Sequence, residues 1–407
     1  MVTNKSKKPE LRFKGFSDDW EQRKLGDILL EHSIRTSDFE NNPLYSLTIE
    51  SGVIPKTDRY ERSSLVTKKE DLFKVVKPNE FVTNPMNLRF GALGYNTNPF
   101  NVSVSGYYDV FSIDDDKCSG FWNSFFKTPI AMKIFDNAAT GSLIEKRRVK
   151  YSTLQHLDFY MPSEMSEKIR IGKYMDALDH IITLHQSKCD KLKTIKKLML
   201  NNLFPKNGEK NPKWRFNGFN DDWEQRKWID TVDISTEMVD PTSGEYDDLP
   251  HIAPGNIESF TGRILDNVKS VKEEQLISGK FRFKPGDVIY GKINPQLGKY
   301  FYACVDGLTS ADAYVFNGKN GITQNFLFSL LQTEDFFKYS VSVSKRSGMP
   351  KINRDELNAY CFLAPDEEEQ NIIGNFLLNI DNLITLHQSE VERLKKVKQF
   401  FLDKMFI

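Results

Sequence analysis

Rows of apolar residues separated by three or four positions are the strongest pattern in the sequence, and the same row occurs twice. Such spacing places the apolar side chains along one face of an α-helix. At an offset of 202 positions, Leu178, Ile182, His185, Cys189, Leu192, Ile195, Met199 and Leu203 correspond to Ile380, Ile384, His387, Val391, Leu394, Val397, Phe401 and Met405. The pattern therefore predicts two long, related helices that arose by internal duplication.

The predicted helices are long enough to need a partner along their length. A helix over residues 166–204 would measure roughly 55–60 Å at about 1.5 Å per residue, and its apolar residues come close to heptad spacing. The other copy is the obvious partner, because the two rows match. We predict a two-helix coiled coil within one chain, with two unrelated core helices of a larger bundle as the alternative.

A second repeat precedes each of the two variable parts of the chain. Residues 9–24 return as residues 212–227, and both copies contain Asp-Asp-Trp-Glu-Gln-Arg-Lys. Gly15 and Gly218 indicate a turn in each copy. We expect the Asp-Asp-Trp sequence to hold each lead-in segment against its own domain.

The variable bodies between lead-in and helix share a skeleton of strands and helices. Each has a strand, a turn at Pro78 or Pro285, and a second strand. Aromatic-rich helices are predicted over 121–137 and 325–339. Each body then continues with a basic loop, a short polar helix and a strand that ends at Pro162 or Pro365. The bodies are therefore predicted to be mixed α/β domains of one fold.

The position of each body fixes the expected geometry, because each body precedes its helix. Parallel pairing would place the bodies side by side, whereas antiparallel pairing separates them by the helix length. The predicted fold is α+β: two similar mixed α/β domains joined by two long helices in an antiparallel intramolecular coiled coil, with a pseudo-twofold relation from the duplication. The predicted segments are lead-in 1–24, first body 25–162, central helix 163–205, linker and second lead-in 206–227, second body 228–365 and C-terminal helix 366–407.

Composition and charge exclude several classes of protein. The chain has 56 Lys and Arg against 56 Asp and Glu, so its net charge does not indicate a nucleic-acid partner, although residues 188–215 are locally basic. The four cysteines are isolated, which argues against a zinc site or a disulfide framework. No apolar run approaches the ~18 residues of a membrane span, and the polar start does not resemble a signal peptide. We expect a cytoplasmic protein without a membrane partner.

Catalytic signatures are absent from the sequence. It has no G-x-x-x-x-G-K-[ST] phosphate loop. The Asn-Pro pairs at residues 84, 98 and 294 lack the second proline of the signature of DNA amino-methyltransferases, and the six histidines lack metal-ligand spacing. We predict no catalytic residue, no bound metal and no cofactor, and therefore no enzyme.

Three motifs together resemble the specificity subunits of type I restriction-modification enzymes. These motifs are Phe-x-Gly-Phe with Asp-Asp-Trp-Glu in both lead-ins, the helix start at Pro365 with Glu369-Gln370 and Ile373, and Ile380-Asp381 with Ile384. The first copy departs from the pattern, because Lys168 replaces the glutamine and one extra residue follows Pro162.

The resemblance implies that each body is a target recognition domain reading one half of a split site on double-stranded DNA. The helices would act as a spacer and as a dock for two modification (methyltransferase) subunits, which bind S-adenosylmethionine. Restriction subunits that translocate and cut DNA would join through the complex. This chain would supply sequence choice.

Two other functions remain open. A scaffold with duplicated protein- or peptide-binding domains is mildly favoured by the zero net charge. A self-contained DNA methyltransferase would require cofactor binding by the isolated chain.

Candidate DNA-binding residues lie on two loops of each body, at comparable places in the two copies. Base reading needs Arg, Lys, Asn or Gln side chains that enter a groove, and Lys or Arg on phosphates adds affinity. The candidates are Asn84, Asn87, Arg89, Lys146, Arg147, Arg148 and Lys150 in the first body, and Lys292, Asn294, Gln296, Lys299, Lys345, Arg346 and Lys351 in the second. Thr183, Gln186, Thr385 and Gln388 are predicted to bind the partner subunits, because the helix repeat preserves them outside the apolar row.

Overall fold

A computed structural model describes residues 7–56, 73–113, 116–141, 147–206, 208–345 and 348–407. The chain forms two compact units, of which the first comprises Met1–Leu184 with Val391–Ile407 and the second comprises His185–Glu390. Each of the two long helices contributes one part to each unit.

Within its described residues, the first unit has short strands, three short α-helices and parts of the two long helices. Its strands are β1 (Glu21–Lys24), β2 (Leu29–His32), β3 (Arg35–Thr36), β4 (Tyr45–Thr48), β5 (Gly52–Pro55), β6 (Phe73–Val76), β7 (Phe81–Thr83), β8 (Leu93–Tyr95), β9 (Val102–Val104), β10 (Asp109–Ile113) and β11 (Asp158–Met161). Its helices are α1 (Ser119–Phe125), α2 (Pro129–Ala138), α3 (Tyr151–Leu154) and the first part of α4 (Met165–Asn202).

The second unit repeats this composition. Its strands are β12 (Glu224–Lys227), β13 (Val232–Ile234), β14 (Met238–Val239), β15 (Pro250–His251), β16 (Lys269–Ser270), β17 (Lys280–Phe283), β18 (Val288–Gly291), β19 (Tyr300–Tyr302), β20 (Gly307–Thr309), β21 (Ala313–Gly318) and β22 (Cys361–Ala364). Its helices are α5 (Trp228–Thr231), α6 (Gln324–Leu330), α7 (Glu334–Val343), α8 (Arg354–Asn358) and most of α9 (Glu367–Lys404).

Two sheets recur in both units, as the shared skeleton predicted. Strand β1 pairs with β11 and β12 pairs with β22, both antiparallel. The strand order β2-β10-β7-β8 recurs as β13-β21-β18-β19. The remaining strands differ: the first unit has the orders β3-β6-β9 and β4-β5, and the second has β14-β17-β20-β15-β16. The duplicated units therefore share a common part and differ in the strands added to it.

Each predicted aromatic-rich helix is two helices in the structure, so the prediction of one continuous helix is wrong. The breaks fall at Thr128 and Thr333. The Thr128 hydroxyl accepts a hydrogen bond from the backbone N–H of Ala131 at 3.2 Å, and that of Thr333 accepts one from Phe336 at 3.3 Å. A threonine that bonds the N–H three residues ahead starts a new helix.

Both lead-ins pack in the same way within their own units, as expected from the Asp-Asp-Trp repeat. Trp20 and Trp223 are buried. The backbone N–H of Leu11 donates to the carbonyl of Lys404, and that of Trp214 donates to the carbonyl of Asn202, both at 2.9 Å. These bonds satisfy a carbonyl at the end of each long helix, where intrahelical partners are lacking. The second long helix ends at Lys404, whereas the predicted segment extends to residue 407.

Both long helices are also anchored at their starts by an arginine of the lead-in. The Arg12 guanidinium binds both carboxylate oxygens of Glu167, at 2.6 and 2.7 Å, and Arg215 binds both oxygens of Glu369 at 2.8 Å. The side chain of Asp366 accepts the Glu369 N–H at 2.8 Å and so caps the start of the second long helix. The Glu369 carboxylate lies in the ion pair, which explains why glutamate occupies this position.

The apolar rows of the long helices are buried or half-buried in the units, except at Ile195. Leu178 and Leu394 belong to the core of the first unit, and Cys189 packs against Ile380 and Ile384 in the second. Ile195, predicted to belong to the buried row, is 41% exposed. The neighbouring Lys196 is buried in its place, and its ammonium binds the Asp381 carboxylate.

Candidate nucleic-acid interface

The two predicted loops of the first unit are held together by their backbones. The N–H of Val149 donates to the carbonyl of Pro85 at 2.8 Å. The residues of the first loop therefore lie beside Arg148, whose own N–H and carbonyl bond with Thr140. The structure thus brings together the described part of the two loops that the sequence analysis selected.

The first loop presents one exposed polar residue and two that are engaged in the unit. Asn87 is exposed. The side-chain oxygen of Asn84 accepts the Met86 N–H at 3.1 Å, which shapes the turn. Arg89 binds the Asp136 carboxylate at 3.0 Å and covers the Phe90 ring at 4.4 Å. Asn87 is the candidate that this loop leaves to solvent.

The second loop borders a cleft of about 330 Å³ in the first unit. Its lining residues are Glu31, Pro85, Tyr107, Asp109, Arg148, Lys150, Tyr151, Ser152 and Gln155. The Arg148 guanidinium lies 5.7 Å from the centre of the Tyr107 ring. Arg147 is half-buried and Lys150 is exposed. The cleft therefore combines cationic, aromatic and carboxylate side chains in one place.

Asp109 is the half-buried carboxylate of this cleft. One of its oxygens accepts the Tyr151 N–H at 2.9 Å, which satisfies a donor at the start of α3. Burial raises the pKa of Asp109, whereas the bond from Tyr151 lowers it.

The second unit joins its two loops at the equivalent point. The Ile352 N–H donates to the Lys292 carbonyl at 3.1 Å, and these two residues occupy the places of Val149 and Pro85. A further bond links the Asn294 N–H to the Pro350 carbonyl at 2.8 Å. The two units therefore build the same loop pair with different residues.

The turn that carries Asn294 has a left-handed backbone, with φ of 52°. Asparagine tolerates this conformation better than most residues. Gln296 is exposed and donates to the Asn294 side chain at 3.2 Å. The ammonium of Lys299 binds the backbone carbonyl of Ile257, so its charge is engaged within the unit.

A basic group surrounds Tyr314 in the second unit. The Lys292 ammonium lies 5.1 Å from the ring centre of Tyr314, and the Arg354 guanidinium lies 6.0 Å from it. Burial lowers the pKa of Lys292, and the nearby Lys351 lowers it further. Sequence reasoning missed Arg354, which it read as part of a polar helix. The available signal was the position of Arg354 at the start of a short helix that directly follows a basic loop.

Two further candidates lie on the second loop of the second unit. Lys345 is exposed. Lys351 is half-buried, and its backbone forms a β-bridge with Ile293. Lys146 and Arg346 lie outside the described residues.

The predicted partner-binding residues differ in exposure. Thr183 and Gln186 are exposed, whereas Thr385 and Gln388 are half-buried. Thr183 bonds to its own helix at the Asp179 carbonyl, and Gln186 bonds to Asp190, one turn ahead. Beside them both helices carry a second apolar row that the sequence analysis overlooked. Its members are Ile181, Leu184, Ile195 and Leu198 on α4, and Leu383, Leu386 and Phe400 on α9, each 41–61% exposed.

Residues suited to metal binding do not cluster in the described part of the chain. His185 and His387 lie with their Nδ1 atoms 3.0 Å apart in the second unit, and burial and the neighbouring imidazole lower the pKa of His387. No group of three or more His, Cys, Asp and Glu among the described residues could hold a metal ion. None of the four cysteines, all of which lie in the described ranges, forms a disulfide, and Cys304 and Cys361 are exposed.

Membrane insertion finds no support among the helices. None in the described ranges combines the length and the apolar character that crossing a membrane requires.

Comparison with known proteins gives one consistent family. Residues 220–396 match the family model of the type I restriction modification DNA specificity domain. The specificity subunit of the type I restriction enzyme EcoDI from Escherichia coli is 30% identical over 188 residues, which are 45% of this chain and 41% of that subunit. The HindI specificity subunit from Haemophilus influenzae is 27% identical over 175 residues, which are 40% and 36%. The matched stretches span less than half of these relatives.

A solved structure shares the fold. The crystal structure of the type I restriction-modification S subunit from M. genitalium matches with a TM-score of 0.69, over 98% of this chain and 99% of that chain. The sequence identity is 12%, so the likeness concerns the fold. It confirms the predicted mixed α+β class.

Proposed function

We propose that this chain is a type I restriction-modification specificity subunit that selects the DNA sequence for its complex, because residues 220–396 match the family model and the curated relatives carry that name. Each unit would read one half of an asymmetric bipartite site on double-stranded DNA. The two recognition domains would comprise residues 25–162 and 228–365. The chain would be the non-catalytic member of its complex, as the family name of its relatives indicates.

The loop pair carries this proposal. The same backbone bond, from Val149 to Pro85 and from Ile352 to Lys292, holds two basic loops at the same place in both units. Loops fixed to a scaffold at equivalent points, but with different side chains, suit two readers of different sequences. A surface that is merely solvated would not require this repetition.

The long helices would form the spacer, as an antiparallel coiled coil that sets the gap between the half-sites. Contacts within each unit support this pairing. In the first unit the Lys398 ammonium binds Asp179 at 2.5 Å, and the rings of Tyr174 and Phe401 lie 5.0 Å apart. In the second unit Lys196 binds Asp381. In both units, residues later in one helix pair with residues earlier in the other.

The exposed apolar rows would dock two methyltransferase subunits, one on each equivalent face. Apolar side chains in regular rows on a helix are typical of surfaces that receive partner helices. The modification subunits would bring S-adenosylmethionine, and restriction subunits would join through the complex. Thr183, Gln186, Thr385 and Gln388 border these rows and would contribute to the same contacts.

Docking can be tested by replacing one exposed leucine on each face. Native mass determination of the co-expressed complex should give two modification subunits per chain. With Leu386→Asp we expect one subunit, because the equivalent Leu184 remains. Leu184→Asp with Leu386→Asp should leave none. A parent complex with a single modification subunit would refute symmetric docking.

DNA reading can be tested by measuring binding to duplex DNA with and without the co-expressed methyltransferase subunit, followed by sequencing of the methylated sites. We expect one bipartite, asymmetric sequence. Lys351→Ala should weaken or relax one half-site and leave the other unchanged. Absence of any DNA binding by the complex, together with capture of a peptide, would favour the scaffold function instead.

A further inference from the structure

The cleft of the first unit and the basic group of the second occupy the same place in the repeated sheet. Phe111 lies opposite Glu31 in the first unit, and Phe316 lies opposite Ile234 in the second. Asp109 and Tyr314 each lie two residues before that phenylalanine. Glu31 and Asp109 therefore correspond to Ile234 and Tyr314.

The side chains at and around these matched positions differ in charge between the two units. In the first unit two carboxylates, Glu31 and Asp109, line the cleft beside the cationic Arg148. In the second unit neither matched position is acidic. Lys292 and Arg354 lie over the ring of Tyr314 there, and one N–H of the Arg354 guanidinium also donates to the Ser235 carbonyl at 3.1 Å.

Neighbouring positions reinforce the contrast. Lys292 and Arg354 of the second unit take the places of Pro85 and Tyr151 in the first, as the shared loop bond and the shared helix start define. Lys351 takes the place of Arg148. At the matched positions the second unit therefore has three cations and no carboxylate, whereas the first has two cations, Arg148 and Lys150, and two carboxylates.

These two sets of side chains match different base edges in the major groove. Carboxylates accept hydrogen bonds from the exocyclic amino group of cytosine, whereas lysine and arginine donate to O6 and N7 of guanine. Cations near a carboxylate can also hold the phosphates and so offset the repulsion between DNA and the acid.

We propose that these matched positions are the specificity-determining sites of the two units. Glu31 and Asp109 select a base that presents a major-groove amino group, with cytosine foremost. Lys292, Lys351 and Arg354 select guanine. The proposal rests on the proposed function, because it names the residues that distinguish the two half-sites.

A purely structural role for Asp109 has a different signature. Its carboxylate accepts the Tyr151 N–H at 2.9 Å, and an asparagine oxygen could accept the same bond. Asp109→Asn therefore preserves this contact while adding a donor that faces the cleft. Glu31→Gln makes the same change at an exposed position.

The test uses the full chain in complex with its methyltransferase subunits and a duplex library in which each half-site is randomised in turn. Glu31→Gln with Asp109→Asn should reduce the preference at one position of the first half-site by roughly tenfold or more. The second half-site should be unchanged. Asp158→Asn, an exposed acid of the same unit outside the cleft, is the matched control and should retain the parent preference.

The reciprocal variant is Lys351→Ala, which should reduce a guanine preference in the other half-site. Unchanged preference in both variants would overturn the inference and leave Asp109 as a cap of α3. Equal loss of affinity for all sequences would overturn it as well. A parent complex with no sequence preference would instead refute the proposed function, so the two failures are distinguishable.

Discussion

At the scale of single residues, the repeated Arg–Glu pair is the strongest tie between a lead-in and its helix. The Glu369 side chain is fully buried, and 15% of the Arg215 side chain is exposed. Removing one partner of a buried pair leaves a buried charge without compensation, which costs about 3–5 kcal/mol. The pair in the first unit, Arg12 with Glu167, has nearly the same burial.

We therefore expect Arg215→Ala to lower the free energy of unfolding by about 3 kcal/mol, measured by urea denaturation of the full chain. Glu369→Gln added to Arg215→Ala should restore part of the loss, because the buried group is then neutral. Arg23→Ala removes an exposed pair with Glu21 and should change stability by less than about 1 kcal/mol. Equal effects of both arginines would contradict this account.

A second residue-scale prediction concerns Asp176. Burial raises the pKa of its carboxyl to about 6, whereas the hydrogen bond from Tyr95 lowers it. As the pH rises from about 4 to about 6, Asp176 loses its proton in the unfolded chain before it does so in the folded one. The contribution of Asp176 to the free energy of unfolding therefore falls across that range. Above it, the folded unit carries a partly buried carboxylate.

Asp176→Asn removes this titration while keeping an oxygen that can accept from Tyr95. Relative to the parent, the variant should gain stability as the pH rises from 4 to 6, and the difference should then level off. Denaturant unfolding at a series of pH values measures it. A stability difference between Asp176→Asn and the parent that stays flat from pH 4 to pH 6 would contradict the assignment.

At the scale of elements, one glycine in each long helix permits close packing against a helix of the unit. A Cβ on Gly172 would lie 2.6 Å from the backbone nitrogen of Phe121, and one on Gly374 would lie 2.6 Å from the backbone carbon of Asn325. Alanine is favoured over glycine in a helix by about 1 kcal/mol. The contact with backbone atoms, which cannot rotate away, outweighs that gain.

We expect Gly172→Ala and Gly374→Ala each to destabilise the chain, by overpacking of the order of 1–3 kcal/mol. Thermal unfolding monitored by circular dichroism measures the effect. Gly255→Ala meets no atom within 4 Å and serves as the control. Stabilisation by the two helix variants would show that the helices can separate from α1 and α6 without cost.

At the scale of the whole molecule, the proposed spacer makes a prediction about the recognised DNA. A heptad inserted in both long helices, after Ser187 and after Ser389, keeps the apolar rows in phase. It should add roughly 10 Å at about 1.5 Å per residue, which is the rise of about three base pairs at ~3.4 Å each. Sequencing of methylated sites should give unchanged half-sites and a longer gap. Altered half-sites with the original gap would show that the helices do not set the distance between the half-sites.

The amino-acid sequence by itself determined the duplication, the long helices, the mixed α/β class and the resemblance to type I restriction-modification specificity subunits. These features are recorded in local spacing: the three-and-four periodicity from Leu178 to Leu203 and the repeated Asp-Asp-Trp need no knowledge of distant contacts. The same local reading placed the start of the second long helix at residue 366, next to its observed start at Glu367. The sequence-based prediction failed where a capping hydrogen bond interrupts a helix. At Thr128 the hydroxyl caps a new helix, so one predicted helix is two in the structure.

The tertiary structure decided which side chains face one another. Glu31 and Asp109 are 78 positions apart in the sequence, and only the pairing of β2 with β10 places them in one cleft. Lys299 looked like a DNA contact, but the fold brings its ammonium to the Ile257 carbonyl. Ile195 lies in the predicted apolar row, yet Lys196 is buried because Asp381 is there to bind it. Burial and pairing are set by residues far away in the chain, so periodicity alone cannot assign them.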